Sequence, residues 1–397
     1  LTSYKKVWNL NKMLRILMLI SFLFVTFNSF AQDSVKPIIA AQIFYSEATN
    51  IEEFEREIEV MKSLGVNVVI FRVFGNKGDR IYTFAKPKSE IGVYFNTSHS
   101  PVIDDILGQV TKIAHKHKLK IFAWMTTRHA TYGVEGDVMD NAYSFSKKDY
   151  IAVPKLDLFN DVAVWELQQL YLDLAKYPID GILIQDDFVM RHMECFGTEA
   201  RVQYLSEFSK DVEAKNMFSE LELKPDGSVK RIVYTEEFWQ FQEWKNKRLI
   251  LVADELISTV RETNPNIKFA LNVGYELFYK PKNALAWYAH DDRLARKFDY
   301  VAVMAYQDQI MKELDIGLDE VCELSIETAE DAISIMGGPE KVIMKVQTLN
   351  WDTKKDLPMR EVRYVYKKVQ SVSPKLGIAL VPWEKRKFDF LNVKNKN

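Results

Sequence analysis

Cysteine is almost absent. Cys195 and Cys322 are the two in 397 residues, too few for a disulfide scaffold or a Cys-rich zinc site. Net charge is almost absent too, at −2 from 53 basic and 55 acidic residues. That excludes a strongly basic nucleic-acid binder, whose phosphate contacts need a surplus of Lys and Arg. No Ser/Gly-rich linker or low-complexity run interrupts residues 38–390. No G-x-G-x-x-G follows the first strand-like run, and no G-x-S-x-G occurs, so neither a dinucleotide fold nor a serine esterase has support. No H-x-x-x-H or H-E-x-x-H pair is present, and His115 and His117, two apart on a helix, do not face one metal. Neither a metal nor a cofactor is therefore expected. What remains is 47% hydrophobic and 27% charged, a globular balance, with 13% aromatic residues.

Long hydrophobic runs are limited to one. Residues 16–27, ILMLISFLFVTF, are apolar apart from Ser21 and Thr26, follow Lys12 and Arg15, and precede Ser29-Phe30-Ala31. A charged start, an apolar middle and small residues at the end make a secretory signal. The run is shorter than the roughly 20 residues a membrane span needs. The expectation is a signal peptide over 1–31, with Met13 as the start of translation, and a secreted or periplasmic mature domain over 32–397 with no stable membrane span.

Eight short apolar runs rich in β-branched residues recur through that domain, at 38–45, 67–74, 120–126, 181–187, 268–273, 300–306, 341–349 and 377–383. Each has strand length and composition. Amphipathic stretches lie between them, for example at 51–64, 103–117, 162–177, 238–263 and 359–369, with Thr49 or Asn50 and Asn160 placed as caps. Alternating strands and helices predict a parallel sheet, and eight such units predict a single-domain (β/α)8 TIM barrel with extended loops, the longest at about 188–235. An open doubly wound sheet is the alternative.

In such a barrel the active site lies at the C-terminal ends of the strands. The fourth run ends in Gln185-Asp186-Asp187. Two adjacent carboxylates after a buried strand are costly unless solvated, paired or working; as a plain alternative they cap the following helix. Side chains alternate along a strand, so Gln185 and Asp187 are expected on one face. Trp124 falls near the end of the third run, Asn272 of the fifth, Tyr306 of the sixth, Gln347 of the seventh and Trp383 of the eighth. Rings stack on the apolar face of a sugar, and amides and tyrosine hydroxyls bind its hydroxyls, so a carbohydrate ligand suits this set.

The same stretches resemble the C-terminal glycoside hydrolase domain of the bacterial poly-β-1,6-N-acetyl-D-glucosamine deacetylases. The matching pieces, in order, are Tyr94-Phe95-Asn96 with His99-Ser100-Pro101, Phe122-Ala123-Trp124-Met125, residues 179–188, Ala270-Leu271-Asn272, Trp287-Tyr288-Ala289-His290, residues 298–307, and Lys345-Val346-Gln347 through Trp351. The resemblance implies a (β/α)8 barrel acting on an exopolysaccharide of biofilms, with His99 among the substrate-binding residues. The chain departs from the family pattern in carrying Gln185 for a histidine and Lys345 for a glutamate. A more distant likeness to chitinase-type barrels, D-G-x-D-x-D-x-E on the fourth strand, aligns their acid with Asp187. It implies a mechanism in which the substrate's own acetamido group attacks.

These observations lead to an exported glycoside hydrolase acting on a β-linked amino-sugar polysaccharide. Asp187 is expected as general acid with Asp186 tuning or replacing it. Gln185 and Tyr306 would orient the acetamido group, Trp124 and Trp383 would stack on sugar rings, and Asn272 and Gln347 would bind hydroxyls. A non-catalytic polysaccharide-binding barrel of an export or adhesion system is the rival reading.

Overall fold

Each expected strand forms, and together they close. The computed structural model describes residues 36–132 and 138–383, and the segment read as a signal peptide lies outside them. The barrel strands are β1 (Ile39–Ile43), β2 (Val68–Arg72), β3 (Lys120–Met125), β4 (Gly181–Ile184), β5 (Lys268–Gly274), β6 (Tyr300–Met304), β7 (Val342–Gln347) and β8 (Gly377–Val381). All neighbours are parallel and run in chain order around the barrel. β1 closes the ring, with Ala40 opposite Val68 of β2 and Ile39 opposite Ile378 of β8. The open-sheet alternative is thereby excluded. Continuous apolar strands fit this fold because both faces are covered, by side chains inside the barrel and helices outside.

The outer helices are α1 (Ile51–Ser63), α2 (Leu107–Lys116), α3 (Asp161–Ala175), α4 (Thr198–Phe208), α5 (Glu236–Thr263), α6 (Pro281–Tyr288), α7 (Gln307–Leu314), α8 (Leu318–Met336) and α9 (Met359–Gln370). Asn50 caps α1 by accepting from the Glu53 N–H at 2.9 Å, while the Glu53 carboxylate accepts from Thr49 N–H at 2.8 Å. Asn160 caps α3 through the Val162 and Ala163 N–H groups. Such caps satisfy donors that the first helical turn leaves free. α2 begins at Leu107, four residues later than its apolar pattern, because residues 101–106 first cross the mouth of β2: Val93 and Ile103 exchange backbone hydrogen bonds there with Pro101 and Val93. Gly181 opens β4 where no side chain fits; a Cβ there would stand 2.7 Å from the Phe122 ring that fills the barrel beside it.

Two insertions were not legible as strands. A hairpin of Met139–Ser144 and Asp149–Leu156 precedes α3, and after β4 come α4 and a hairpin of Phe218–Leu223 and Val229–Tyr234. Their residues are mostly half-buried or exposed on both faces, so they lack the apolar run that marks the barrel strands. Among the described residues, no helix is long and apolar enough to cross a membrane.

Candidate active site at the barrel mouth

The strand ends assemble a bowl with one aromatic wall. Phe74 meets Trp124 edge-on at 5.6 Å, and Trp124 tilts against Phe44 at 4.7 Å. Phe44 lies parallel to Trp351 at 6.2 Å, and Trp351 meets the edge of Tyr306 at 5.3 Å. These rings come from the ends of β2, β3, β1, β7 and β6. Their mutual packing holds each one in place: Phe74 and Trp124 are buried within the wall, and Phe44, Tyr306 and Trp351 are half-buried.

The paired carboxylates part company at the end of β4. The strand stops at Ile184 and the chain turns at Asp186-Asp187, so alternation does not carry through to residue 187. Asp187 is only 4% exposed. Its oxygens accept from the Thr126 hydroxyl at 2.5 Å, the Thr127 hydroxyl at 2.7 Å, and the Thr127 and His129 N–H groups at 2.9 and 2.8 Å. It is the anchor of the loop that leaves β3. Asp186, not Asp187, is open to solvent in the bowl. The protein atoms around it still strip away part of its water: that desolvation raises its carboxyl, the Asp187 charge adds to the rise, and Lys345 opposes it.

Lys345 is the unexpected partner. It sits within β7, only 1% exposed, donates to Asn272 Oδ1 at 2.7 Å, and lies 5.9 Å from the centre of the Tyr306 ring. Burial pulls its ammonium down to about 7, and the charge of Asp186 works against that fall. Burial and the Asp186 charge also raise the Tyr306 hydroxyl. An acid pushed up and an amine pushed down, facing one another in a bowl, is the electrostatic pattern of a working site. The signal for Lys345 was present in the sequence as one cation in the apolar run VIMKVQ.

Four further polar atoms at the strand ends are buried without a partner: Gln42 Oε1 in β1, Arg72 Nε at the end of β2, Trp124 Nε1 in β3 and Gln185 Oε1 just beyond β4. Buried polar groups are rarely left unpaired, and at a mouth they are available to a ligand. Glu276, just past β5, is a second carboxyl of this face. Burial, then the nearby Glu313, raises it, and it accepts from the Tyr288 hydroxyl at 3.2 Å.

Other expected site residues lie elsewhere or are already engaged. Gln347 is fully buried; its Nε2 donates to the Leu349 carbonyl at 2.6 Å and its Oε1 accepts from Gln309 N–H. Its amide knits β7 to α7. Trp383 is buried just after β8, its N–H bonded to the Gln42 carbonyl. His99 lines a groove of about 570 Å³ against α3, together with Ala130, Tyr132 and Leu156 from the segment that follows β3. There it pairs with Glu166 at 2.8 Å and meets the edge of Trp165. Among the described residues, one trio has metal-ligand types within reach of each other, Glu55, Glu59 and His117 on α1 and α2. Lys116, 2.5 Å from Glu55, already supplies positive charge there.

The loops behind the bowl hang on buried ions. Arg128 has no exposed surface. It donates to Asp140, to Glu194 at 2.6 Å, and to the Leu156 and Val189 carbonyls at 3.0 and 2.5 Å. Lys155 adds a second bond to Glu194. One guanidinium therefore ties the hairpin after β3 to the loop after β4.

His290 supports the same loop, donating from Nε2 to the Phe188 carbonyl at 2.7 Å, while its Nδ1 is buried and unpaired. Burial lowers both His290 and His192 to about 4. Unfolded histidine titrates near 6.5, so between about pH 4 and 6.5 the unfolded chain binds more protons and stability rises with pH. Thermal unfolding from pH 4 to 7 should show that rise, shallower in His290→Gln. A melting temperature flat across the window would contradict the buried neutral histidines.

Comparison with known proteins bears on what such a bowl does. Residues 47–376 match the model of hypothetical glycosyl hydrolase family 13. The chain belongs to that family. It is a glycoside hydrolase with a (β/α)8 barrel, as the sequence motifs imply. Among solved structures, the family member is similar to the PgaB (BpsB) glycoside hydrolase domain from Bordetella bronchiseptica. The two share 19% identity and a TM-score of 0.68, over 91% of this chain and 96% of that one. The β-galactosidases of the Antarctic haloarchaeon Halorubrum lacusprofundi and of Rahnella sp. R3 share the fold with TM-scores of 0.57 and 0.54. Their identities are 11% and 14%, over 87% and 88% of this chain and 53% and 51% of theirs. No curated protein matches the chain in sequence.

Proposed function

We propose that this glycoside hydrolase is exported and cleaves a β-linked amino-sugar exopolysaccharide, such as partly deacetylated poly-β-1,6-N-acetylglucosamine, with Asp186 as its general acid. The observation that carries the reading is the solvent-open, raised Asp186 carboxyl beside an aromatic wall. The protonated carboxyl gives its proton to the glycosidic oxygen as the C1–O bond breaks. Water then adds its hydroxide to C1, and its proton returns to the Asp186 carboxylate. Asp187 acts as a positioning residue that fixes the turn. Trp124, Phe44 and Trp351 offer stacking surface, and Tyr306 and Gln185 suit the acetamido group, whose N–H would satisfy Gln185 Oε1. The resemblance in sequence motifs supports the polymer, and the apolar run at 16–27 supports export to the periplasm or medium.

The test is incubation of the protein with β-1,6- and β-1,4-linked glucosamine polymers of graded acetylation, reading released oligomers by mass spectrometry. Oligomers should appear from an amino-sugar polymer and not from cellulose. Release from cellulose alone, or from none of the polymers, contradicts the substrate assignment.

A further inference from the structure

We infer that Lys345 is a specificity-determining positioning residue: by locking the Asn272 amide it makes the bowl take an N-acetylated sugar unit in preference to one with a free ammonium group. The inference rests on the amino-sugar reading above.

An ammonium has three donors and no acceptor, whereas an Asn amide has one oxygen and one NH2. The contact of Lys345 Nζ with the Asn272 side chain at 2.7 Å therefore fixes which end of the amide faces it: the oxygen. The NH2 must point the other way. Among the described residues no protein acceptor takes its hydrogens, and Asn272 Nδ2 is not among the buried unpaired atoms. Asn272 thus turns its donors toward a ligand, while its oxygen is turned toward Lys345, which takes one of its two lone pairs.

The groups around Lys345 come from several elements. Asn272 projects from β5, Tyr306 from the end of β6, and Asp186 from the turn after β4. Asp186 is the one carboxyl among them that faces Lys345, and its charge is already matched to that buried ammonium, so it leaves a substrate ammonium no counter-charge of its own. A sugar with a free amine would bring a second cation and three more donors to a place that already holds a buried cation and amide donors. Such a donor-to-donor clash leaves polar groups unpaired. An acetamido carbonyl is neutral and accepts, which suits the Asn272 NH2.

The experiment compares fully N-acetylated and fully de-N-acetylated β-1,6-linked glucosamine hexamers at about pH 5.5, below the value near 7 at which Lys345 loses its charge. The wild-type protein should favour the acetylated hexamer by about 10-fold or more in kcat/KM, mostly through KM, the scale of one mispaired polar contact. Lys345→Met should shrink that preference several-fold, because the amide is free to turn. Asn272→Asp, which replaces the donors with a carboxylate, should reverse it, and serves if the lysine variant fails to fold. Equal or reversed preference in the wild type overturns the inference, as does a preference that survives intact in folded Lys345→Met. If neither hexamer is cleaved, cleavage of a partly deacetylated hexamer tests the substrate assignment separately; calorimetric binding of the two uniform hexamers then still decides the inference, and binding of neither overturns it.

Discussion

Asp186→Asn should lower hydrolysis of a β-linked glucosamine polymer by about 10²–10⁴-fold, the usual contribution of a positioned acid, with the fold unchanged by circular dichroism. The substitution keeps shape and removes the transferable proton. Asp186 is open to solvent and packs little, so folding has little to lose. The neighbouring change reads out differently. Asp187→Asn places an NH2 among two hydroxyls and two N–H groups that now all donate to a carboxylate. It should destabilise the protein by roughly 2 kcal/mol or more, since buried donors lose a charged acceptor. Urea unfolding separates the two: a stability loss confined to residue 187 and a chemical loss without destabilisation at residue 186. Near-full activity in Asp186→Asn, with a folded but inactive Asp187→Asn, would reassign the acid to Asp187.

The second large effect is on stability. Arg128→Met should cost about 3–5 kcal/mol, the penalty for breaking a buried ion pair by removing one partner. The side chain is wholly enclosed and serves two carboxylates and two carbonyls at once. Without it Asp140 and Glu194 are left facing each other in the interior; burial already raises the Asp140 carboxyl, and the Glu194 charge adds to that. Because the hairpin after β3 and the loop after β4 share this one guanidinium, polymer hydrolysis should fall along with the urea midpoint. A midpoint shift worth less than about 1 kcal/mol would show that Lys155 and bound water carry the two acids unaided.

The barrel was legible because its strands are buried on both faces. Runs such as VVIF in β2 and GILI in β4 have no alternation to confuse them, and their spacing leaves room for one helix each. The mouth was legible only by position. Alternation placed Asp187 beside Gln185, but it holds only while the backbone stays extended, and β4 ends at Ile184. The following turn exchanges the carboxyls, sending Asp186 into the bowl and Asp187 back onto Thr126 and Thr127. Gln347 had the right type and place for a sugar ligand, but a partner on α7, nearly forty residues away in sequence, consumes its amide. Such long-range hydrogen bonds leave no periodic trace. His99 was drawn to the site by likeness, and its partner Glu166 on α3 could not be read from the sequence. Lys345 is the converse case: a charge inside an apolar strand breaks the local pattern, and the residues that balance it, Asn272 and Asp186, are exposed only by closure of the barrel.

The most direct test of the account is a crystal structure of Asp186→Asn soaked with a β-linked glucosamine oligomer. Sugar rings should lie along Trp124, Phe44 and Trp351, with a glycosidic oxygen within hydrogen-bonding reach of residue 186. An oligomer seated instead in the His99 groove, or one whose glycosidic oxygens all lie beyond reach of residue 186, would contradict it.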